Sequence, residues 1–235
     1  MRVPSPDQAA TSPQPAVAAA TAPRRKPVQR RSTETFERIE AAATRLLERG
    51  VAIENITTPE IAREAGVSIG GLYRFFPDKQ AIVDAIAVRR VQDFERTLVA
   101  ALGKRPPFKS GGRLISYILD HFIAYIEAHP DFRTILYGGS YLSQGVRQRH
   151  FGYESDVAVL ARRYVSDVLG LPDTPELALR WRMVGEITTP LLGFAMQQQA
   201  PGERARVLDE TKRLITTYLF GEKAFGDARR ATDRR

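Results

Sequence analysis

The sequence predicts an all-α fold, with a three-helix unit near the N-terminus and a larger helical domain after it. Three observations predict it. Apolar residues recur at helical spacing from Phe36 onward. Helix starts at Thr57, Ser68 and Asp78 alternate with stops at Gly50, Gly66 and Pro77. No alternating strand pattern of useful length and no internal repeat appears.

Composition bounds the function. The 235 residues include no cysteine, so a disulfide framework and a zinc–thiolate site are ruled out, and a reducing cytoplasm suits the chain. No apolar run approaches the roughly 18 residues that span a bilayer. The longest apolar-leaning stretch, residues 187–196, contains Thr188, Thr189 and Pro190. The short run at 17–20 precedes its basic residues, the reverse of a secretory signal. The net charge of +8 favours a polyanionic partner and is unevenly placed. It is +5 over residues 1–31, −2 over 32–102 and +5 over 103–235.

Residues 1–30 read as a disordered tail and basic arm. The first 23 are mostly Ala, Pro, Gln, Ser and Thr, with five prolines and no aromatic. Arg24, Arg25, Lys26, Arg30 and Arg31 follow, and suit phosphates or a minor groove. A solvated linker is the plainer reading of the same residues.

The first helix covers residues 35–49. Phe36, Ile39, Ala43, Leu46 and Leu47 lie on one face, and Gly50 ends it. Thr57 as N-cap forms a capping box with Glu60, whereas Thr58 as N-cap puts Pro59 first in the helix; both registers stay open. Ile61, Ala62 and Ala65 face inward, and Gly66 stops this second helix after two turns. Ser68 caps a third, which runs to Phe75 or Phe76 before Pro77. Two short helices joined by a glycine-containing turn are the sequence form of a helix-turn-helix, placed at about 54–76. Such helices are marginal alone and need the first helix to pack against.

Asp78 caps a long helix over 79–102, with Ile82, Ile86, Val91, Phe94 and Leu98 inward. Gly103 to Pro107 break the pattern. Helices follow at 114–126, 132–137, 156–169, 174–199 and 203–220, and a glycine-rich loop at 138–152. Pro190 predicts a kink or break in the 174–199 helix. Residues 223–235 are a polar tail.

The order Ile61-Ala62-x-x-Ala65-Gly66-Val67-Ser68, then Gly70-x-Leu72-Tyr73-x-x-Phe76, then Pro77-Asp78-Lys79 closely resembles the DNA-binding signature of the tetracycline-repressor (TetR) family. The resemblance covers about residues 31–91. Beyond residue 103 it extends only to length and helical character. It implies an N-terminal helix-turn-helix DNA-binding domain at 31–91, and a helical ligand-binding and dimerisation domain at 92–222. The implied function is a sequence-specific transcriptional regulator, a ligand-responsive repressor acting as a homodimer on a palindromic operator.

The resemblance places the N-terminal end of the Ser68-capped helix in the major groove, exposing Ile69, Gly70, Gly71, Tyr73 and Arg74. It implies a phosphate contact for the Tyr73 hydroxyl. Arg74 suits a bidentate contact to guanine, which discriminates by about 1–3 kcal/mol. Thr58 and Lys79 are expected on phosphates, where they position without reading sequence. Ile69 replaces a basic residue common in the family, and Gly71 a Thr or Ser. Together Gly70 and Gly71 cost the helix up to about 2 kcal/mol relative to alanines. Ile69 suits a thymine methyl, and Gly70 and Gly71 permit close approach to the backbone.

For the C-terminal domain, Val207, Leu208, Thr211, Leu214, Ile215, Tyr218 and Leu219 make an apolar stripe. The resemblance assigns dimerisation to that helix and the 174–199 helix. Phe122, Tyr125, Tyr137, Trp181, Glu186 and Phe194 are pocket candidates, with Phe132, Tyr141, Phe151, Met183 and Met196 beside them. Each is also an ordinary core residue type. The effector itself is not legible.

An enzyme is not expected. Gly138-Gly139-Ser140-Tyr141-Leu142 lacks the final glycine of a nucleophile elbow, and no phosphate-cradling or dinucleotide motif occurs. His121 and His129 lie about 12 Å apart along one helix, too far to share a metal. No cofactor, metal or membrane partner is expected. The rival reading is a non-specific polyanion or membrane-surface binder, motivated by the basic arm.

Overall fold

The computed structural model describes residues 30–104, 107–138, 142–151, 155–172 and 174–221. The expected tail, most of the basic arm, Tyr141 and the C-terminal tail lie outside them. Among the described residues the fold is all-α, with no strand.

The N-terminal unit comprises α1 (Arg30–Glu48), α2 (Thr58–Ala65) and α3 (Ile69–Phe75), with a short 3-10 turn at Ile53–Asn55. α1 starts five residues earlier than its apolar periodicity. Its inward face is Ile39, Ala42, Ala43 and Leu47. The start of α2 is decided for Thr57: Glu60 N–H donates to Thr57 Oγ1 at 3.4 Å, and Thr57 N–H donates to Glu60 Oε2 at 2.9 Å. Gly66 ends α2 at φ 63°, a left-handed conformation that a side chain would strain.

α4 (Lys79–Gly103) begins at Asp78, whose carboxylate accepts from Ala81 N–H at 2.8 Å. Its first half completes the N-terminal core through Ala81, Ile82, Val83, Ile86 and Ala87. Its second half enters the other core through Val91, Phe94 and Leu98. One rigid rod thus belongs to both units.

α5 (Gly111–Ala128), α6 (Pro130–Tyr137), α8 (Asp156–Asp167), α9 (Pro175–Gln197) and α10 (Pro201–Phe220) surround the second core. Two expectations need correction. The 138–152 loop contains a helix, α7 (Gln144–Phe151). Only Val146 of it is buried, so it carries almost no periodic signal. Ser143 starts it, and Asp84 of α4 accepts from Ser143 N–H at 3.0 Å. The second concerns α9: of the kink or break expected at Pro190 the break does not occur, and the helix continues through it. Leu192, Gly193 and Ala195 are buried just beyond the proline, so packing supports the helical turns that follow it.

Candidate nucleic-acid interface

The orientation of α3 is fixed from inside. Leu72 is fully buried, Phe75 nearly so, and Phe76 follows them into the core. Phe36 of α1 stacks on Phe76 with centroids 4.7 Å apart and meets Phe75 edge-on at 6.5 Å. The opposite face is left to solvent: Ser68, Ile69, Gly70, Tyr73 and Arg74 are exposed.

Local contacts shape that face. Ser68 Oγ accepts from Gly71 N–H at 3.0 Å. A Cβ at Gly71 would stand 3.1 Å from that same oxygen, whereas one at Gly70 would meet nothing within 4 Å. Gly71 therefore protects the cap, and Gly70 leaves a bare stretch of backbone for close approach. Tyr73 Oη and Thr58 Oγ1 share a hydrogen bond of 2.9 Å, which sets both hydroxyls beside the start of α2. Arg74 leans over the Phe75 ring, its Cζ 5.9 Å from the centroid. Arg31 is exposed on the first turn of α1, where Arg30 also lies.

Lys79 is used differently from the phosphate contact expected of it. Its ammonium donates to Ile53 O at 2.7 Å, Glu54 O at 3.2 Å and Ile56 O at 2.9 Å. All three donors are engaged, so Lys79 fastens the turn before α2 to the start of α4. Other cations also serve the fold. Arg38 donates to Ala65 O and Gly66 O, closing the end of α2. Arg45 and Arg49 hold Glu64, and the Arg45 hydrogen bond keeps that carboxyl below the usual range.

A cavity of about 140 Å³ lies between α4, α5, α8, α9 and the end of α7. Phe94, Phe122, Phe151 and Trp181 line it with Ile115, Leu119, Val184 and Ile215, and its polar lining is His150, Ser155, Thr188 and Thr189. Of the pocket candidates, Phe122, Trp181 and Phe151 are at this wall. The others are not. Tyr125 donates to Asp93 at 2.9 Å, and burial with that bond raises its phenol well above the usual range. Tyr137 packs on Gly193, where a Cβ would come within 2.8 Å of its ring. Glu186 is exposed, and Phe194 is 55% exposed on the outside of α9. Helical position alone put them in the list, and a helix buried on one side has an outside.

A salt bridge joins the two units. Asp131 at the start of α6 is fully buried and accepts from Arg90 Nε of α4 at 2.7 Å. Arg90 also lies 3.6 Å from Glu48 of α1.

Residues 39–86 match the model of the bacterial regulatory proteins of the tetR family, and residues 113–219 match that of the tetracyclin repressor-like C-terminal domain. Together these matches cover more than half of the chain.

The chain belongs to the TetR family.

Regulators of this family are DNA-binding transcription regulators with a helix-turn-helix, and the matched N-terminal segment holds α2 and α3 at that place. A TetR-family transcriptional regulator from Streptomyces coelicolor has the same fold, with a TM-score of 0.60 at 24% identity, over 80% of this chain and 97% of its own. RolR, solved in complex with resorcinol, superposes with a TM-score of 0.59 at 20% identity, over 85% of this chain and 95% of its own. The nucleoid occlusion factors SlmA of Vibrio cholerae and Vibrio campbellii are each 26% identical, over 48% and 51% of this chain. The chain spans little more than half the length of these curated relatives, 56% and 59%.

Proposed function

We propose that this TetR-family regulator is a ligand-responsive repressor that binds a palindromic operator as a homodimer in the cytoplasm. The observation that carries the reading is the two-sided character of α3. Its inner face is locked by Leu72 and Phe75, while Ile69, Gly70, Tyr73 and Arg74 are exposed. A helix held this way inserts into a major groove without rearrangement.

Pairing is supported by the outer face of α9 and α10. Leu179, Met183 and Phe194 of α9 and Leu214 and Tyr218 of α10 are each 41–55% exposed. The other side of α10, with Thr211, Ile215 and Leu219, is core. Large apolar side chains clustered on one surface mark an association site. A two-fold pair through it presents two α3 helices to two half-sites, which one short helix needs for affinity. The cavity supplies an effector site, and RolR, of similar fold, was solved with resorcinol. An effector that prefers one spacing of the two α3 helices shifts the population away from the operator-bound form.

The test is selection of bound sequences from a random double-stranded DNA pool at physiological salt. Recovery of a palindrome is the expected result. A folded protein that enriches nothing is a non-specific polyanion binder instead, and the operator reading fails.

A further inference from the structure

The cavity is more specific than an apolar void. At about 140 Å³ it is close to the size of an engineered cavity of about 150 Å³ that holds benzene. Four aromatic rings and several aliphatic side chains form its wall, and among the described residues no Asp, Glu, Lys or Arg lines it. An ion entering would lose its hydration with no opposite charge to replace it.

Its polar groups differ in what they have left to offer. Thr188 Oγ1 donates to Val184 O at 2.7 Å, and Ser155 Oγ accepts from Ala158 N–H at 3.3 Å. His150 and Thr189 have no hydrogen-bond partner among the described residues. Burial lowers the proton affinity of His150, and neighbouring Arg149 lowers it further, against a weaker opposing pull from Asp156. The imidazole is therefore neutral near pH 7, with one donor and one acceptor. Polar groups facing an apolar cavity are normally satisfied by water or by a ligand.

We propose that the cavity takes an uncharged, single-ring-sized, mostly apolar ligand with one hydroxyl or carbonyl, which His150 binds. This rests on the effector reading of the cavity and narrows it to a chemical class. His150 is the specificity-determining residue: the rings hold the ligand body, and the imidazole selects for the polar substituent. His150 and Phe151 end α7, and α7 is tied to α4 through Ser143 and Asp84, so this contact lies on an element that touches the N-terminal unit.

The test is calorimetric titration of the full chain with phenol, toluene, benzoate, benzylammonium and 2-naphthol. Phenol is expected to bind, toluene about tenfold more weakly for want of one hydrogen bond, 2-naphthol more weakly for its size, and neither ion measurably. His150→Leu is expected to equalise phenol and toluene while leaving toluene affinity unchanged, which also shows that the variant is folded. Ala161→Leu, which fills the cavity, is expected to abolish both. Benzoate or benzylammonium binding as well as phenol overturns the proposal. So does failure of all five probes, a preference for phenol that survives His150→Leu, or binding that survives Ala161→Leu. Operator release is measured separately, by fluorescence anisotropy of the selected DNA. Phenol binding without release leaves the ligand class standing and refutes only the effector role.

Discussion

At the scale of single residues, charged and hydroxyl groups divide between the exposed face of α3, proposed to read DNA, and contacts that hold the fold. Tyr73 and Thr58 bond only to each other, at the surface. Tyr73→Phe should weaken operator binding in an anisotropy titration and change stability by less than about 1 kcal/mol. Lys79→Ala should do the reverse. It strips a donor from three carbonyls, so urea unfolding should show a loss of about 1–3 kcal/mol. Unchanged stability together with poor DNA binding would return Lys79 to the phosphate role. Arg74→Ala should both weaken binding and broaden the selected sequence, since a guanidinium with no ion pair among the described residues suits a base edge.

The histidines give a pH dependence. Burial lowers the proton affinity of both His121 and His150 from the ordinary value of 6.5. The unfolded chain then binds more protons than the folded one, so their contribution is full above 6.5 and is lost as pH falls through the lowered folded values. Melting temperature should decline as pH falls below 6.5, and His121→Gln with His150→Gln should flatten that slope.

At the scale of elements, α6 is the part most tightly fixed between the two units. Asp131 at its start bonds Arg90, and Tyr137 at its end lies against Gly193 of α9. Ile135 between them is packed into the N-terminal core. Asp131→Ala leaves the Arg90 guanidinium partly buried without its closest partner, and should cost about 3–5 kcal/mol in urea unfolding. Gly193→Ala drives a methyl into a ring and should cost about 1–3 kcal/mol, unless α6 shifts outward. Neither contact was visible in the sequence, because each joins residues tens of positions apart. The caps at Ser68 and Asp78 were visible, because each involves a partner only three residues on, whereas the α2 cap stayed open between Thr57 and Thr58 until the structure placed it at Thr57.

At the scale of the whole molecule, the proposed homodimer makes affinity for a two-half-site operator depend on pairing through α9 and α10. Phe194→Glu with Leu214→Glu should give a monomer by sedimentation velocity and should lose operator binding, while circular dichroism stays helical. A dimer that persists would move the interface elsewhere.

By itself the sequence determined the helical class, the helix-turn-helix with the caps at Ser68 and Asp78, and the inner and outer faces of α3, and it left the start of α2 between Thr57 and Thr58. Those follow from local rules: spacing along one helix, a hydroxyl before a start, a glycine after a stop. Tertiary structure alone decided that Lys79 holds a turn, that α7 exists, that α9 passes through Pro190, and that Phe194 and Glu186 face away from the cavity. A side chain's partner across the fold is set by how helices pack, and one helix's periodicity says which residues share a face but not what that face meets.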